Sequence, residues 1–125
     1  MLIEIDTGST VPIYEQLRNQ IVLGIASKQL APGEPLPSVR RLAADLGINF
    51  HTVNKAYTML CEEGYIVVDK RKGAFVSQPT QSAEDFQCSL SQKLRLFVAE
   101  AICHGITENE FVEFCTEHFN LAKEM

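Results

Sequence analysis

Side chains able to read or neutralise another molecule fall into three short groups. These are Ser38 with the Arg40-Arg41 pair, the run Asn49-Phe50-His51-Thr52-Val53-Asn54-Lys55, and the turn Lys70-Arg71-Lys72-Gly73. Their chemistry is hydrogen bonding and charge neutralisation, not bond breaking. An Asn amide presents a donor and an acceptor side by side, the pattern that pairs with an adenine edge. Thr suits a thymine methyl or a phosphate, and Lys suits phosphate or guanine. The three histidines, His51, His104 and His118, fall in separate elements, and no nucleophile–base pair or phosphate-binding loop accompanies them. An enzyme is therefore not expected. Cys115 and His118 stand three apart, and Cys103 precedes His104. Such side chains bind zinc when a ligand motif assembles them. That motif is missing and Cys115 and His118 share an apolar helix face, so core packing is the expected role and no metal or cofactor is predicted.

The elements that must position these groups can be read from period and punctuation. Ile3 and Ile5, with Leu2, suggest a short strand or an ordered arm. Pro12 suits a helix start, and Ile13, Leu17, Ile21 and Ile25 recur every four residues, predicting an amphipathic helix to about Lys28. Ala31 to Pro37 holds three prolines and a glycine and cannot be helical. Ser38 is a candidate N-cap, or a phosphate donor, before a short helix carrying Val39, Leu42, Ala43 and Leu46. Gly47 ends that helix. Only Gly47 and Ile48 separate it from Asn49, the next N-cap candidate, so the two helices must cross steeply as a helix-turn-helix. The second helix buries Val53, Ala56, Tyr57 and Leu60 and stops at Gly64. Tyr65–Val68 and Ala74–Val76 flank Lys70–Gly73 as a β-hairpin, which completes a winged helix.

A polar linker, Gln78–Ser82, leads to Phe86, Leu90, Leu94, Phe97 and Ala101, the stripe of a long helix ending near Gly105. Thr107-Glu108-Asn109-Glu110 is a capping-box signature, and the helix it opens puts Phe111, Phe114, Cys115, His118, Phe119 and Ala122 on one face. Two such helices cannot close a core of their own. Their apolar faces need a partner, most simply the same hairpin of a second copy, or else must pack back on the first domain. The fold expected is mostly α with a small β-hairpin: a winged helix-turn-helix over residues 1–79 and a two-helix dimerisation segment over 80–125.

Charge divides the same way. The net charge of −5 over 125 residues would argue against binding nucleic acid, but residues 1–79 hold eight basic and eight acidic side chains. Residues 80–125 hold three against eight and carry the whole excess. Phosphate neutralisation is local, so the balanced half can bind DNA while the acidic half faces away. Composition is that of a soluble globular protein, and no apolar run approaches a membrane span. The first ten residues lack the features of a signal peptide, which predicts a cytoplasmic chain. The scattered cysteines, Cys61, Cys88, Cys103 and Cys115, form no CxxC pair and are expected as reduced thiols, three of them buried in helices.

Gly33-Glu-Pro-Leu-Pro-Ser-Val-Arg-Arg-Leu-Ala-Ala-Asp-Leu-Gly47, continued by Thr52-Val-Asn-Lys-Ala-Tyr57, Leu60, Gly64 and the wing Lys72-Gly-Ala-Phe-Val76, resembles the GntR family of bacterial regulators. Ile48-Asn-Phe-His-Thr-Val-Asn-Lys55 and Pro12-Ile-Tyr-Glu-Gln16 look most like its YtrA-type subgroup, whose C-terminal part is a short helix pair. The resemblance implies that Arg40, beside Arg41, occupies the position of a DNA-contacting arginine, and family habit suggests repression. Larger relatives bind an effector in a longer C-terminal domain; no large effector pocket is expected here. Many members have arginine where this chain has Phe50, which either touches a thymine methyl or packs under the N-cap.

The expected partner is a double-stranded DNA operator. The N-terminal turn of a helix fits the major groove, presenting Asn49, Phe50, His51, Thr52, Asn54 and Lys55. The wing Lys70–Gly73 lies along the backbone or in the minor groove, unless it is a solvated turn. A homodimer through Phe86, Leu90, Leu94, Phe97, Phe111, Phe114 and Phe119 would require a palindromic operator. Two alternatives are a winged-helix protein-interaction module, which should carry a more apolar face, and a low-specificity DNA-coating protein, which should be strongly basic.

Overall fold

The computed structural model describes residues 3–79 and 82–124. Leu2 of the N-terminal arm, and Thr80 and Gln81 of the expected linker, lie outside the described residues. The chain divides into two compact units, Met1–Pro79 and Thr80–Met125.

The first unit contains α1 (Ile13–Ala26), α2 (Val39–Leu46), α3 (Phe50–Glu62) and the antiparallel strands β1 (Ile66–Asp69) and β2 (Gly73–Val76). The four-residue apolar period of α1 is spent on the core: Leu17 and Ile21 are fully buried, with Ile25 and Tyr14 packed beside them. From α3 come Val53, Ala56, Tyr57 and Leu60, and this helix packs against α1, α2 and β1. Leu30, Leu36, Leu42, Ala43, Ile66, Ala74 and Val76 complete the cluster. Burying one such large side chain stabilises the fold by about 1.5–3 kcal/mol.

Local chemistry sets the ends. The Ser38 hydroxyl accepts from the Arg41 amide at 3.1 Å, and Gly47 closes α2 in the left-handed region at φ 66°. Asn49 Oδ1 accepts from the His51 amide at 2.7 Å and so caps α3. In the hairpin Asp69 pairs with Gly73, leaving Lys70-Arg71-Lys72 as a three-residue loop. Gly73 takes a φ of 77°, the positive value such a loop requires of its closing residue.

Two features sharpen the expected outline. Of the two forms expected for the N-terminal segment, strand or ordered arm, its described residues take the second. Gln16 and Gln20 of α1 hold it with their side-chain amides. Gln20 Oε1 accepts from the Glu4 amide at 2.9 Å, Gln16 Oε1 accepts from the Asp6 amide at 2.9 Å, and Gln16 Nε2 donates to the Asp6 and Val11 carbonyls. The proline segment, expected only to be non-helical, runs antiparallel beside β2, with Pro35 opposite Phe75. The Leu36 amide donates to Ala74 O at 2.8 Å, Val76 N donates to Glu34 O at 2.9 Å, and Gly33 N donates to Val76 O at 2.8 Å. Proline is tolerated there because the N–H it lacks is not needed at an edge position.

The second unit is a pair of helices, α4 (Ala83–Cys103) and α5 (Glu108–Glu124). Ser82 caps α4 by accepting from Asp85 N at 3.1 Å. The expected capping box opens α5: Thr107 Oγ1 accepts from Glu110 N at 3.2 Å, while Glu110 Oε1 accepts from Thr107 N at 3.2 Å. The helices pack on each other sparsely, and among the unit's described residues only Ala101 is buried. The expectation of buried cysteines is overturned, since all four are free and exposed. Cys61 stands at the margin of the buried stripe of α3, where partial desolvation pushes its thiol up, away from the reactive thiolate. Cys88, Cys103 and Cys115 sit on helices that enclose almost nothing. Cys115 and His118, expected in a core, line an apolar groove instead.

Tyr57 joins the helix-turn-helix to the proline segment. It is 2 % exposed, and its hydroxyl donates to Pro37 O at 2.7 Å. Burial pushes the phenol up to about 12. In the unfolded chain it ionises near ~10, so this group's contribution to stability is full below that value and falls as pH climbs through the alkaline range. Tyr57→Phe should lower stability at neutral pH by about 1–2 kcal/mol, because the Pro37 carbonyl loses its donor. It should also flatten the alkaline loss. Urea midpoints for both proteins at neutral and alkaline pH test this, and an unchanged alkaline slope in the variant would exclude Tyr57 as the titrating group.

Candidate nucleic-acid interface

With Val53, Ala56, Tyr57 and Leu60 turned into the core, α3 exposes Phe50, His51, Asn54, Lys55 and Thr58, and leaves Thr52 half-buried. A helix locked along one side presents the other as a rigid edge, which sequence reading of a groove requires. Most amides of its first turn are taken up: His51 N donates to the Asn49 side chain, and Thr52 N and Val53 N donate to the Asn49 carbonyl.

The structure brings Arg40, Phe50 and His51 together. The Arg40 guanidinium carbon lies 5.8 Å from the centroid of the Phe50 ring. The Phe50 and His51 rings meet edge to face, with centroids 5.6 Å apart and planes at 82°. Lys55 stands with Nζ 4.0 Å from the centroid of Tyr14 in α1. Both cations are held by ring faces, which attract positive charge without taking up an N–H donor.

Several of the expected residues have structural partners. Asn49 spends its carbonyl oxygen on the cap, leaving its NH2 group, and the Ser38 oxygen accepts from Arg41 N while its own proton stays available. Arg41 lies 3.9 Å from Asp45 in the next turn, with both side chains largely exposed, a pair of small energetic weight. In the wing, Asp69 Oδ1 accepts from the Arg71 amide at 2.8 Å and shapes the loop, while Lys70, Arg71, Lys72 and Gly73 are exposed. Among the described residues the ion pairs are Arg41–Asp45 and Arg18–Glu63. Arg40, Lys55, Lys70, Arg71 and Lys72 thus have no carboxylate within bonding distance, and their charge is available to an anionic backbone.

Arg18–Glu63 is a contact that no local pattern announces. The Arg18 guanidinium meets both carboxylate oxygens, with Nε to Oε1 at 3.1 Å, and lies 5.7 Å from the Tyr65 ring centroid. The hydrogen bond to Glu63 raises the already high pKa of Arg18. It pins α1 to the end of α3, behind the exposed edge. Tyr14 and Thr58 were also not expected beside the reading residues; Thr58 Oγ1 donates back to Asn54 O at 2.8 Å.

In the second unit Phe86, Leu90, Leu94, Phe97, Phe114 and Phe119 are between 40 % and 69 % exposed, and Phe111 is half-buried. Two apolar grooves run along the helix pair. One of about 470 Å³ is bounded by Phe97, Phe114 and His118; another of about 640 Å³ is bounded by Val98, Ile102, Ile106 and Val112. The second row was not expected, although Val98 and Ile102 repeat the four-residue step that marked the first. Among the described residues no group of three or more His, Cys, Asp or Glu is arranged to hold a metal ion, and no helix is long and apolar enough to cross a membrane.

Residues 10–76 match the family described as bacterial regulatory proteins, gntR family. The HTH-type transcriptional repressor YtrA of Bacillus subtilis (strain 168) is 32% identical over 118 residues, 93% of this chain and 91% of that one. A transcriptional antiterminator from Listeria monocytogenes EGD-e superposes with a TM-score of 0.90 at 28% identity, covering 98% of this chain and 93% of the other. YtrA from Sulfolobus acidocaldarius, a GntR-family transcription factor, gives 0.65 at 40% identity over 82% of this chain and 99% of that one. The winged helix and the likeness to YtrA-type relatives are both borne out. The chain belongs to the GntR family and is a DNA-binding transcription regulator, not an enzyme.

Proposed function

We propose that the protein is a cytoplasmic homodimeric repressor that recognises a palindromic operator in double-stranded DNA, with residues 1–79 binding DNA and residues 80–125 making the dimer. The observation that carries this reading is the exposed first turn of α3 on a helix whose opposite side is fully buried. Arg40, His51, Thr52, Asn54 and Lys55, with the free amide of Asn49, form the reading edge in the major groove, and Phe50 stands among them. Ser38 and Arg41 meet phosphate at the start of α2. Lys70, Arg71, Lys72 and Gly73 meet the backbone or the minor groove, where glycine permits close approach.

The exposed phenylalanines and leucines of α4 and α5 support the dimer: so much apolar surface on so small a unit marks an interface. The grooves along the hairpin are read as that interface rather than as effector pockets. Repression is carried over from the name of the Bacillus subtilis relative.

Selection from a random-core duplex library should yield one preferred site with two-fold symmetry. Equal affinity for that site and a scrambled duplex would end the specific-regulator reading. Arg40→Ala should reduce discrimination between the two duplexes. Lys72→Ala should weaken both together and lower the salt slope by about one. Asn49→Ala should cost about 0.5–2 kcal/mol of stability through the lost cap. Asn49→Ser keeps the cap, so a loss of DNA affinity in that variant isolates the role of the amide. Sedimentation at micromolar concentration should give twice the mass of one chain, and a single-chain mass there would overturn the dimer.

A further inference from the structure

We infer that Phe50 is a positioning residue, whose ring holds the Arg40 guanidinium in place so that Phe50 sets base discrimination through Arg40 rather than by touching DNA. This rests on the DNA-reading role proposed above for Arg40. Phe50 is the first residue of α3, so its backbone is fixed by the capped helix. Its ring is 40 % exposed, with the Arg40 guanidinium 5.8 Å from its centroid and the His51 ring against it at 5.6 Å. Arg40 is itself exposed, and among the described residues it has no carboxylate partner.

An exposed arginine ordinarily samples many rotamers, and ordering them on binding weakens affinity for the site that needs the order. A ring beneath the cation reduces that loss. It does so without consuming donors, because the attraction is to the ring face and all five N–H groups stay free for a base edge. A carboxylate in the same place would order the guanidinium equally well but would occupy the donors that read guanine. Arg41, one residue on, has such a carboxylate in Asp45. The two adjacent arginines are thus held by different means, and only Arg40 is both oriented and unspent.

The test uses the full-length protein, the best-enriched duplex from a random-core library and a scrambled duplex, and reads the ratio of the two affinities. Phe50→Leu removes the π face while keeping an apolar side chain, and Phe50→Tyr keeps the face. Phe50→Leu should lower the ratio by about two- to fivefold, the size of an exposed cation–π contact. Phe50→Tyr should restore it, and the melting temperature should stay at the wild-type value in both. In an Arg40→Ala background Phe50→Leu should change the ratio no further.

An equal loss in the Arg40→Ala background would overturn the inference, since Phe50 would then act on DNA directly, as through a thymine methyl. So would an unchanged ratio for Phe50→Leu when Arg40→Ala alone lowers it. A wild-type protein that does not separate the two duplexes would overturn the DNA-reading role itself, and this inference with it.

Discussion

The first unit depends on the division of α3 into two sides. Val53, Ala56, Tyr57 and Leu60 have to be buried for α1, α2 and β1 to share one core, and their 3.6-residue period leaves Phe50, His51, Asn54 and Lys55 outside. Core and reading edge therefore belong to one rigid object. The register of the edge is not separately adjustable, because rotating the helix to move Asn54 would expose Val53 or Leu60. Other supports act in the same sense: the short Gly47–Ile48 turn and the Arg18–Glu63 pair fix its two ends, and Tyr57 to Pro37 fixes its middle.

The two units treat apolar surface in opposite ways. The first spends most of its large apolar side chains on a closed cluster and presents cations and amides outward. The second leaves Phe86, Phe97, Ile102, Val112, Phe114 and Phe119 in the open while carrying the acidic excess of the chain. Acidic residues around an exposed apolar face keep it wet and disfavour approach to DNA, yet they do not prevent association through the face itself.

Much of this was legible in order along the chain because the informative residues act locally. Ser38, Gly47, Asn49, Gly73 and the Thr107–Glu110 box announce ends through bonds that span no more than a few residues, and the four-residue apolar steps announce the helices. What could not be read joins distant positions. Arg18 and Glu63 are 45 residues apart, and Glu4 meets Gln20 across 16. Pro35 beside Phe75 places a strand-like edge where composition spoke only against a helix. For the candidate site, residue types were legible but pairings were not: nothing local places the Arg40 guanidinium at the Phe50 ring, or Lys55 over Tyr14. The cysteines were misjudged because their usual preference for the interior presumes an interior, which the helix pair by itself lacks.

The bridge between Pro35 and Phe75 has a mechanical consequence. The segment hydrogen-bonded to β2 runs through Leu36 and Pro37 straight into Ser38, the cap of α2. The base of the wing and the start of the helix-turn-helix are thus welded into one stiff bracket, with the Lys70–Lys72 loop as its only free end. Length variation among descendants of this sequence can accumulate at that loop without displacing Arg40. A single insertion between Gly33 and Pro37 would break the pairing with β2 that leads into Ser38. The fold thereby confines its evolutionary freedom in the wing to the part that reaches outward.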